Sequence, residues 1–246
     1  MELRVIGSSS AGNAYVLESE REILLVECGL RWKTILSGLN YGVGRCVGCL
    51  VSHEHGDHSM AVRDVMKNQI PVFTSAGTAD ALKVADEPMV HVMKEFEMTK
   101  IGEFDVMPFG VQHDAAEPFG FLIRHRECGT ILFATDTYYL KYTFDGINHM
   151  MIECNYSQSR LDENFRNGII PEFRRNRTMR AHLSLETLLG IIDANDMSAV
   201  REILLIHLSA DNSDTDTFVK TIQEAAGKRT IIARPKLTMK LNINPF

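Results

Sequence analysis

Short runs of apolar residues, separated by turn-forming residues, recur along most of the chain. Residues 3–7 and 14–18 are two such runs, and Gly7, Gly12 and Asn13 between them mark a turn. Runs of this length and composition are typical of β-strands. The predicted strands cover residues 3–7, 14–18, 22–27, 47–52, 71–75, 96–101, 104–111, 119–125, 130–136, 149–154, 202–209 and 236–243.

Apolar residues spaced three and four positions apart predict helices between several of these strands. In residues 59–68 this spacing places Val62 and Val65 on one face, and Ser59 is the expected N-cap. No repeat, low-complexity tract or linker interrupts the chain, so we expect one α/β domain over residues 1–246, with two sheets and helices outside them. The predicted helices cover residues 31–39, 59–68, 183–194 and 214–226.

The composition is that of an ordinary globular protein, with 45% hydrophobic and 24% charged residues. The net charge of −6 gives no overall attraction to nucleic acid, so binding of a polyanion would need a local basic patch. The sequence shows neither a signal peptide nor an apolar run that approaches the ~18 residues of a membrane span. We therefore expect no membrane association. Because the five cysteines are scattered, we also expect a reduced, cytoplasmic location. The oligomeric state stays open.

The segment SHEHGDHS, residues 52–59, contains three of the nine histidines and directly follows a predicted buried strand. Three other predicted strands also end at a histidine or an aspartate. Because strands of one sheet end at a common edge, seven side chains can meet there and hold two divalent cations with one shared ligand. Imidazole and carboxylate favour zinc, with manganese or iron as alternatives. The seven residues are His53, His55, Asp57, His58, His113, Asp136 and His207.

The order of these motifs resembles the metallo-β-lactamase superfamily. The resemblance rests on HEHGDH, His113, the TDT at 135–137 and the LIHLS at 205–209. It implies a four-layer αββα sandwich of the metallo-β-lactamase type. Finer motifs resemble the WalJ (YycJ)-type branch, which is linked to DNA nuclease activity and related to tRNase Z and to phosphodiesterases of the PhnP type. These finer motifs are GSSSAGN at 7–13, HDA at 113–115, IECNYS at 152–157 and HLS at 182–184 and 207–209.

The resemblance also implies roles for the ligands and their neighbours. By position, His53, His55 and His113 would hold the first cation, and Asp57, His58 and His207 the second, with Asp136 as the bridge. The cations would lower the pKa of a shared water toward ~7, and the bridging hydroxide would attack the substrate. Asp57 would also orient this nucleophile. The chain departs from the family pattern at Glu27, where aspartate is usual.

His182 resembles the additional catalytic histidine of tRNase Z. It would supply a proton or positive charge to the leaving group, and Glu153 on the preceding strand would set its tautomer. The alternative is that His182 is only a residue at the N-terminus of the helix predicted for 183–194.

Residues 160–180 hold six arginines and three acids in a chain that is acidic overall. Arg174, Arg175, Arg177 and Arg180 are therefore predicted to contact substrate phosphates, with a solvated face of ordinary ion pairs as the alternative. Ser8 and Asn13 of the GSSSAGN loop are further candidates for phosphate contact, and the loop would equally suit a tight turn. We interpret Phe165 and Phe173 as core anchors, with base stacking as the alternative.

Together these features predict a dinuclear-metal-dependent hydrolase that cleaves phosphodiester bonds of nucleic acid, with DNA exonuclease as the preferred activity. Hydrolysis of a small ester, lactone, thioester, β-lactam or cyclic phosphodiester is the alternative within the same chemistry. The fold could also serve as a binding module without catalysis, but seven intact ligand residues argue against that use.

Overall fold

The structure, a computed structural model, describes residues 1–243. Its strands are β1 (Glu2–Gly7), β2 (Ala14–Glu18), β3 (Ile23–Val26), β4 (Cys46–Leu50), β5 (Val72–Thr74), β6 (Val90–Val92), β7 (Thr99–Ile101), β8 (Phe104–Gly110), β9 (Phe119–His125), β10 (Gly129–Ala134), β11 (Ile147–Glu153), β12 (Glu202–Ile206), β13 (Arg229–Ile232) and β14 (Thr238–Lys240). Its helices are α1 (Trp32–Gly38), α2 (Gly56–Ser59), α3 (Val62–Lys67), α4 (Ala76–Ala81), α5 (Gln158–Arg166), α6 (Glu172–Ala181), α7 (Leu185–Ala194) and α8 (Thr215–Ala226).

The strands form two seven-stranded mixed sheets, ordered β14-β1-β2-β3-β4-β5-β6 and β13-β12-β11-β10-β9-β8-β7. In the first sheet the pairs from β14 to β3 are antiparallel and those from β3 to β6 are parallel. In the second, the pairs from β7 to β10 are antiparallel and those from β10 to β13 are parallel. Strands β8, β10, β11 and β12 therefore run in one direction and end at the same edge.

The two sheets pack face to face around a central apolar core. Tyr15 from the first sheet and Phe104, Phe121 and Phe133 from the second are fully buried there. Burial of each such side chain stabilises the fold by roughly 1.5–3 kcal/mol. Two further apolar clusters cover the outer faces, one under α1, α3 and α4 and the other under α7 and α8. This is the four-layer αββα sandwich that the sequence predicted.

Each predicted strand and helix overlaps an element of the structure. The expected cap at Ser59 is wrong. Ser59 ends α2, where its hydroxyl donates to the carbonyl oxygens of Glu54 and His55, and α3 begins after Ala61. The sequence patterns missed α2, α4, α5, α6, β6 and β13. Within residues 1–243, no helix combines the length and hydropathy needed to cross a membrane.

Candidate metal centre

Segments from both sheets bring the predicted ligand residues together. The loop after β4 in the first sheet carries four of them, and the segments after β8, β10 and β12 in the second carry one each. The common edge of the parallel strands explains why residues so far apart in sequence meet. The seven residues are His53, His55, Asp57, His58, His113, Asp136 and His207.

His53, His55, His113 and Asp136 form a first group, in which one ligand atom from each lies within 4.8 Å of the others. His55 Nδ1 lies 3.1 Å from His53 Nε2 and 3.1 Å from His113 Nε2. Asp136 Oδ2 lies 3.4 Å from His53 Nε2. The ring nitrogens of three histidines and one carboxylate oxygen therefore converge on one point.

Asp57, His58, His207 and Asp136 form a second group under the same distance criterion. His58 Nε2 lies 3.1 Å from Asp136 Oδ2 and 3.4 Å from Asp57 Oδ2. His207 Nε2 lies 3.3 Å from the same Asp57 oxygen. The Asp136 carboxylate thus belongs to both groups, which is the arrangement expected of a bridging ligand.

The spacing of these atoms is that of a metal coordination shell. Tetrahedral ligands at bond lengths of 2.0–2.1 Å are separated from one another by about 3.3 Å. The six distances given above, 3.1 to 3.4 Å, match this separation, and His113 Nε2 lies 3.7 Å from Asp136 Oδ2. The donor set therefore fits two divalent cations, and imidazole with carboxylate suits zinc, manganese and iron.

The charges of the cluster also call for cations. Burial would raise the pKa of Asp136, but the charges of His207 and His58 hold it well below its usual range. Burial would lower the pKa of His207, but Asp136, Asp57 and Glu153 raise it to about 10. The protonated histidines thus keep the buried carboxylates ionised, and divalent cations would take the place of those protons on binding.

Contacts behind the ligands hold two histidine rings in place. His113 Nδ1 donates to the carbonyl oxygen of Ala181 at 2.8 Å. His53 Nδ1 lies 2.9 Å from the hydroxyl of Ser52, in hydrogen-bond distance. Such outer contacts fix the orientation and tautomer of a ligating imidazole, because only the opposite nitrogen remains free for a cation.

Two residues of the cluster and the neighbouring Glu27 have the left-handed backbone conformation that non-glycine residues rarely adopt. Their φ angles are 64° at Glu27, 45° at Asp136 and 52° at His207. Backbone strain of this kind is concentrated at functional sites. Glu27 is buried behind the second group, where its Oε1 faces His58 Nδ1 at 3.6 Å, and neither atom has a hydrogen bond to another described residue.

His182 and Glu153 form a hydrogen-bonded pair beside the second group, and together with Asp136 and His207 they meet the same distance criterion. His182 Nδ1 donates to Glu153 Oε1 at 2.7 Å, and the other carboxylate oxygen accepts the backbone N–H groups of Thr137 and Leu183. Burial lowers the pKa of His182, but the charge of Glu153 and its hydrogen bond more than offset this, so the pKa is raised. The His182 ring lies parallel to that of His207, with 5.3 Å between centroids.

A family model described as the beta-lactamase superfamily domain matches residues 42–208. The chain belongs to this superfamily. The matched range contains all seven residues of the metal-ligand cluster as well as Glu153 and His182.

Curated and solved members of the superfamily extend the similarity beyond that range. The chain is 27% identical to exodeoxyribonuclease YycJ of Bacillus anthracis over 87% of this chain and 84% of the relative. The structure is similar to the metallo-β-lactamase fold protein YhfI of Bacillus subtilis, with a TM-score of 0.75, 16% identity and coverage of 97% and 98%. The short form of human tRNase Z gives a TM-score of 0.65 at 16% identity, covering 99% of this chain and all of that one (100%). These likenesses establish the metallo-β-lactamase fold.

The predicted substrate arginines of this superfamily member lie on or near α6, in different surroundings. Arg174 and Arg177 line the cleft over the metal centre together with His182, and this cleft has a volume of about 440 Å³. Arg180 lies in an adjoining cleft. Arg175 instead pairs with Asp162 at 2.6 Å. Arg175 thus joins α5 and α6, and its contact with substrate stays a prediction.

Ser8 and Asn13 also have contacts within the protein, and their contact with substrate phosphates stays a prediction. Ser8 Oγ accepts the backbone N–H of His207 at 3.0 Å and lies 2.7 Å from the hydroxyl of Tyr15. Asn13 is fully buried, and its Nδ2 donates to the carbonyl oxygen of Asp57 at 3.2 Å. Through these hydrogen bonds the GSSSAGN loop holds the segments at Asp57 and His207 in place.

One supporting residue escaped the sequence analysis. Asn155 Nδ2 donates to the carbonyl oxygen of His207 at 2.8 Å and holds the strained backbone at that position. Asn155 lies within the IECNYS motif, which was noted only as a mark of the WalJ-type branch. The sequence offered one signal for this role, namely an amide side chain directly after the predicted strand 149–154.

Proposed function

We propose that this chain is a dinuclear-metal-dependent phosphodiesterase that hydrolyses nucleic acid, with DNA exonuclease as its activity. The observation that carries the proposal is the pair His182–Glu153, which lies beside the metal-ligand cluster and faces a cleft lined by arginines. The similarity to an exodeoxyribonuclease over most of both chains supports DNA as the substrate.

His53, His55 and His113 would hold one cation, Asp57, His58 and His207 the other, and Asp136 both. When bound, two such cations supply Lewis acidity, which activates water at neutral pH and offsets the charge of a phosphodiester. The metal could be zinc, manganese or iron on the basis of these ligands.

The chain itself supplies the proton for the leaving group. Glu153 accepts the hydrogen bond from Nδ1 of His182, and the His182 side chain is 20% exposed at the cleft. Nε2 is therefore the nitrogen available to a bound substrate. The protonated ring can donate from Nε2 to the departing oxygen while Glu153 stabilises the charge. General acid catalysis of this kind accelerates reactions by roughly 10²–10⁴-fold.

Asp57 and two arginines would position the reacting groups. The side chain of Asp57 is 24% exposed at the cleft, and its pKa is lowered by His207 and His58 against the effect of burial. It therefore remains a carboxylate that can accept a hydrogen bond from the attacking water. Arg174 and Arg177 would contact the phosphates on either side of the scissile bond.

The proposal is tested with labelled linear and circular single-stranded DNA, duplex DNA, RNA, a lactone and the chromogenic diester bis(4-nitrophenyl) phosphate, each with Zn²⁺ or Mn²⁺. We expect cleavage of linear DNA and of the chromogenic diester, with circular DNA intact because an exonuclease needs an end. His182→Ala should keep its metal content and lose activity by about 10²–10⁴-fold.

The matched control is His91→Ala, because His91 is an exposed histidine on β6 at the far edge of the first sheet. We expect this variant to keep full activity. Lactone turnover without cleavage of any phosphodiester would overturn the proposal. Loss of metal from His182→Ala would show that His182 is a ligand and would remove its role as proton donor.

A further inference from the structure

Helix α6 is unusual among the longer helices because it has almost no buried face. Ala181 at its last position is its one buried residue, while Arg175 and Thr178 are half-buried. Helices of this length normally depend on an apolar face packed against the protein. Packing within the chain therefore does not explain which residues α6 exposes, and contact with a ligand is the other explanation.

Phe173 on α6 is 72% exposed, so its interpretation as a core anchor is wrong. Arg177 and Arg180 follow four and seven positions later and therefore share a face of the helix with it. These three residues line a cleft of about 420 Å³ together with Asp114, Asn176 and Ala181. An aromatic ring next to two guanidinium groups is the combination that binds a base and its flanking phosphates.

This second cleft adjoins the metal centre. Arg177 lines both clefts. On the shared wall, the carbonyl oxygen of Ala181 accepts the hydrogen bond from His113, and Asp114 Oδ1 lies 3.3 Å from His113 Nε2. A strand whose scissile phosphate lies over the metal centre would therefore place a neighbouring nucleotide in this cleft.

The arginines of the second cleft are available to a ligand. Arg177 meets Asp114 at 3.4 Å with its side chain 65% exposed, and an ion pair so exposed contributes little. Arg180 is exposed and forms no ion pair with another described residue. Helix α6 carries four arginines and one glutamate in a chain of net charge −6, so its charge complements a polyanion.

We propose that Phe173, Arg177 and Arg180 form a base-stacking subsite for single-stranded DNA next to the metal centre. The Phe173 ring stacks on one base, and the two arginines contact the phosphates beside it. Single strands are preferred, because a base in a duplex is already stacked on its neighbours. This inference rests on the proposed function, since it assigns the nucleotide next to the one that is cleaved.

The test is an abasic scan combined with Phe173→Ala. A series of single-stranded oligonucleotides carries one abasic nucleotide at successive positions, and binding of phosphorothioate versions that resist cleavage is followed by fluorescence anisotropy with the metal-loaded protein. One abasic position should weaken binding to the wild type on the order of tenfold, the effect of one lost base–aromatic stack. In Phe173→Ala that position should lose its sensitivity, because the stacking partner is absent.

Two further variants sharpen the test. Phe173→Trp should restore the sensitivity of that position, because it replaces one stacking ring with another. Tyr41→Ala is the matched control, since Tyr41 is 73% exposed but lies next to Asn40, outside both clefts, and its scan should equal that of the wild type. Circular dichroism and metal content establish that each variant is folded and loaded.

Identical scans for wild type and Phe173→Ala would overturn the subsite. A shift of Phe173→Ala from dimer to monomer without any change in the scan would overturn it too, because the ring would then belong to a contact between copies. If the wild type cleaves neither DNA nor the chromogenic diester, the proposed function fails. If it cleaves both and the scans coincide, only the subsite fails.

Discussion

Glu27 places a buried carboxylate directly behind His58, one of the predicted metal ligands. Its Oε2 accepts the backbone N–H of Ser52 at 3.3 Å, and its Oε1 faces His58. The family pattern that the chain resembles has the shorter aspartate here, and Glu27 Oε1 lies 3.6 Å from His58 Nδ1, beyond hydrogen-bond distance. A carboxylate behind a ligating imidazole increases its basicity and holds the ring in register with the cation.

At the residue scale, His182 and Glu153 should act as one unit. Because the carboxylate works through the imidazole, Glu153→Gln should lower kcat for DNA by about 10- to 100-fold and leave KM within about twofold. In a His182→Ala background, the same substitution should cause little further loss. Steady-state kinetics of the two single variants and the double variant measure the coupling.

Multiplicative losses in the double variant would contradict this coupling, because they would show that Glu153 acts independently of His182. The backbone contacts of Glu153 make a stability control necessary. Thermal unfolding and metal content of each variant should be recorded together with the kinetics.

Ligand residues were predictable from sequence, whereas their supports were not. His113, Asp136 and His207 stand at the ends of strongly apolar strands, and that position alone indicates a shared edge. The contacts of Asn13 with the segment at Asp57 depend on how two loops that are distant in sequence pack together. A local sequence pattern cannot predict such packing.

At the element scale, the segment after β3 packs tightly against the short helix α2. A Cβ atom on Gly29 would lie 1.7 Å from the carbonyl oxygen of Asp57. Gly29→Ala should therefore lower the free energy of unfolding by about 3 kcal/mol, at the upper end for overpacking. Gly190 on α7 has open space around it, so Gly190→Ala should raise stability by about 0.5–1 kcal/mol. Urea unfolding of both variants measures the contrast, and equal stabilities would refute it.

Helix α6 depends on α5 for its position. Arg175 pairs with Asp162 and lies over the Phe165 ring, 5.5 Å from its centroid. Arg175→Ala should increase amide hydrogen exchange across 172–181 by several-fold while the unfolding midpoint changes little, because the core clusters do not include α6. Arg166→Ala is the control, since its side chain only contacts a backbone carbonyl of α5. Unchanged exchange in Arg175→Ala would contradict this dependence.

The elements that the sequence analysis missed share a physical cause. Helices α5 and α6 have few buried residues, so the spacing of apolar residues in their sequences does not predict a helix. Strands β6 and β13 are only 3 and 4 residues long and lie at sheet edges, and Thr230 is the one buried residue in the two strands. The long central strands were predicted because both of their faces are covered.

At the scale of the whole molecule, the seven predicted metal ligands come from both sheets. Four come from the loop after β4 and three from segments of the second sheet, so bound cations would join both halves. Removal of metal with a chelator should lower the free energy of unfolding by about 2.7 kcal/mol relative to protein kept at a cation concentration of 100 times Kd. Thermal unfolding with and without chelator measures the change.

The variant Asp57→Ala should respond less to the chelator than the wild type, because it lacks one ligand of the second group. His91→Ala should respond as the wild type does. An unfolding midpoint that is independent of metal in the wild type would contradict a role for the cations in joining the sheets.

The exposure of α6 also bears on how such an enzyme changes during evolution. Phe173, Arg177 and Arg180 belong neither to the core nor to the strand ends that carry the predicted ligands. Substitutions there should therefore neither unfold the protein nor disrupt the metal-ligand cluster. If these residues form the proposed subsite, substrate preference can change one surface residue at a time while the hydrolytic chemistry stays constant. Residues 172–180, none of which is buried, are the natural segment to exchange between relatives when a new specificity is wanted.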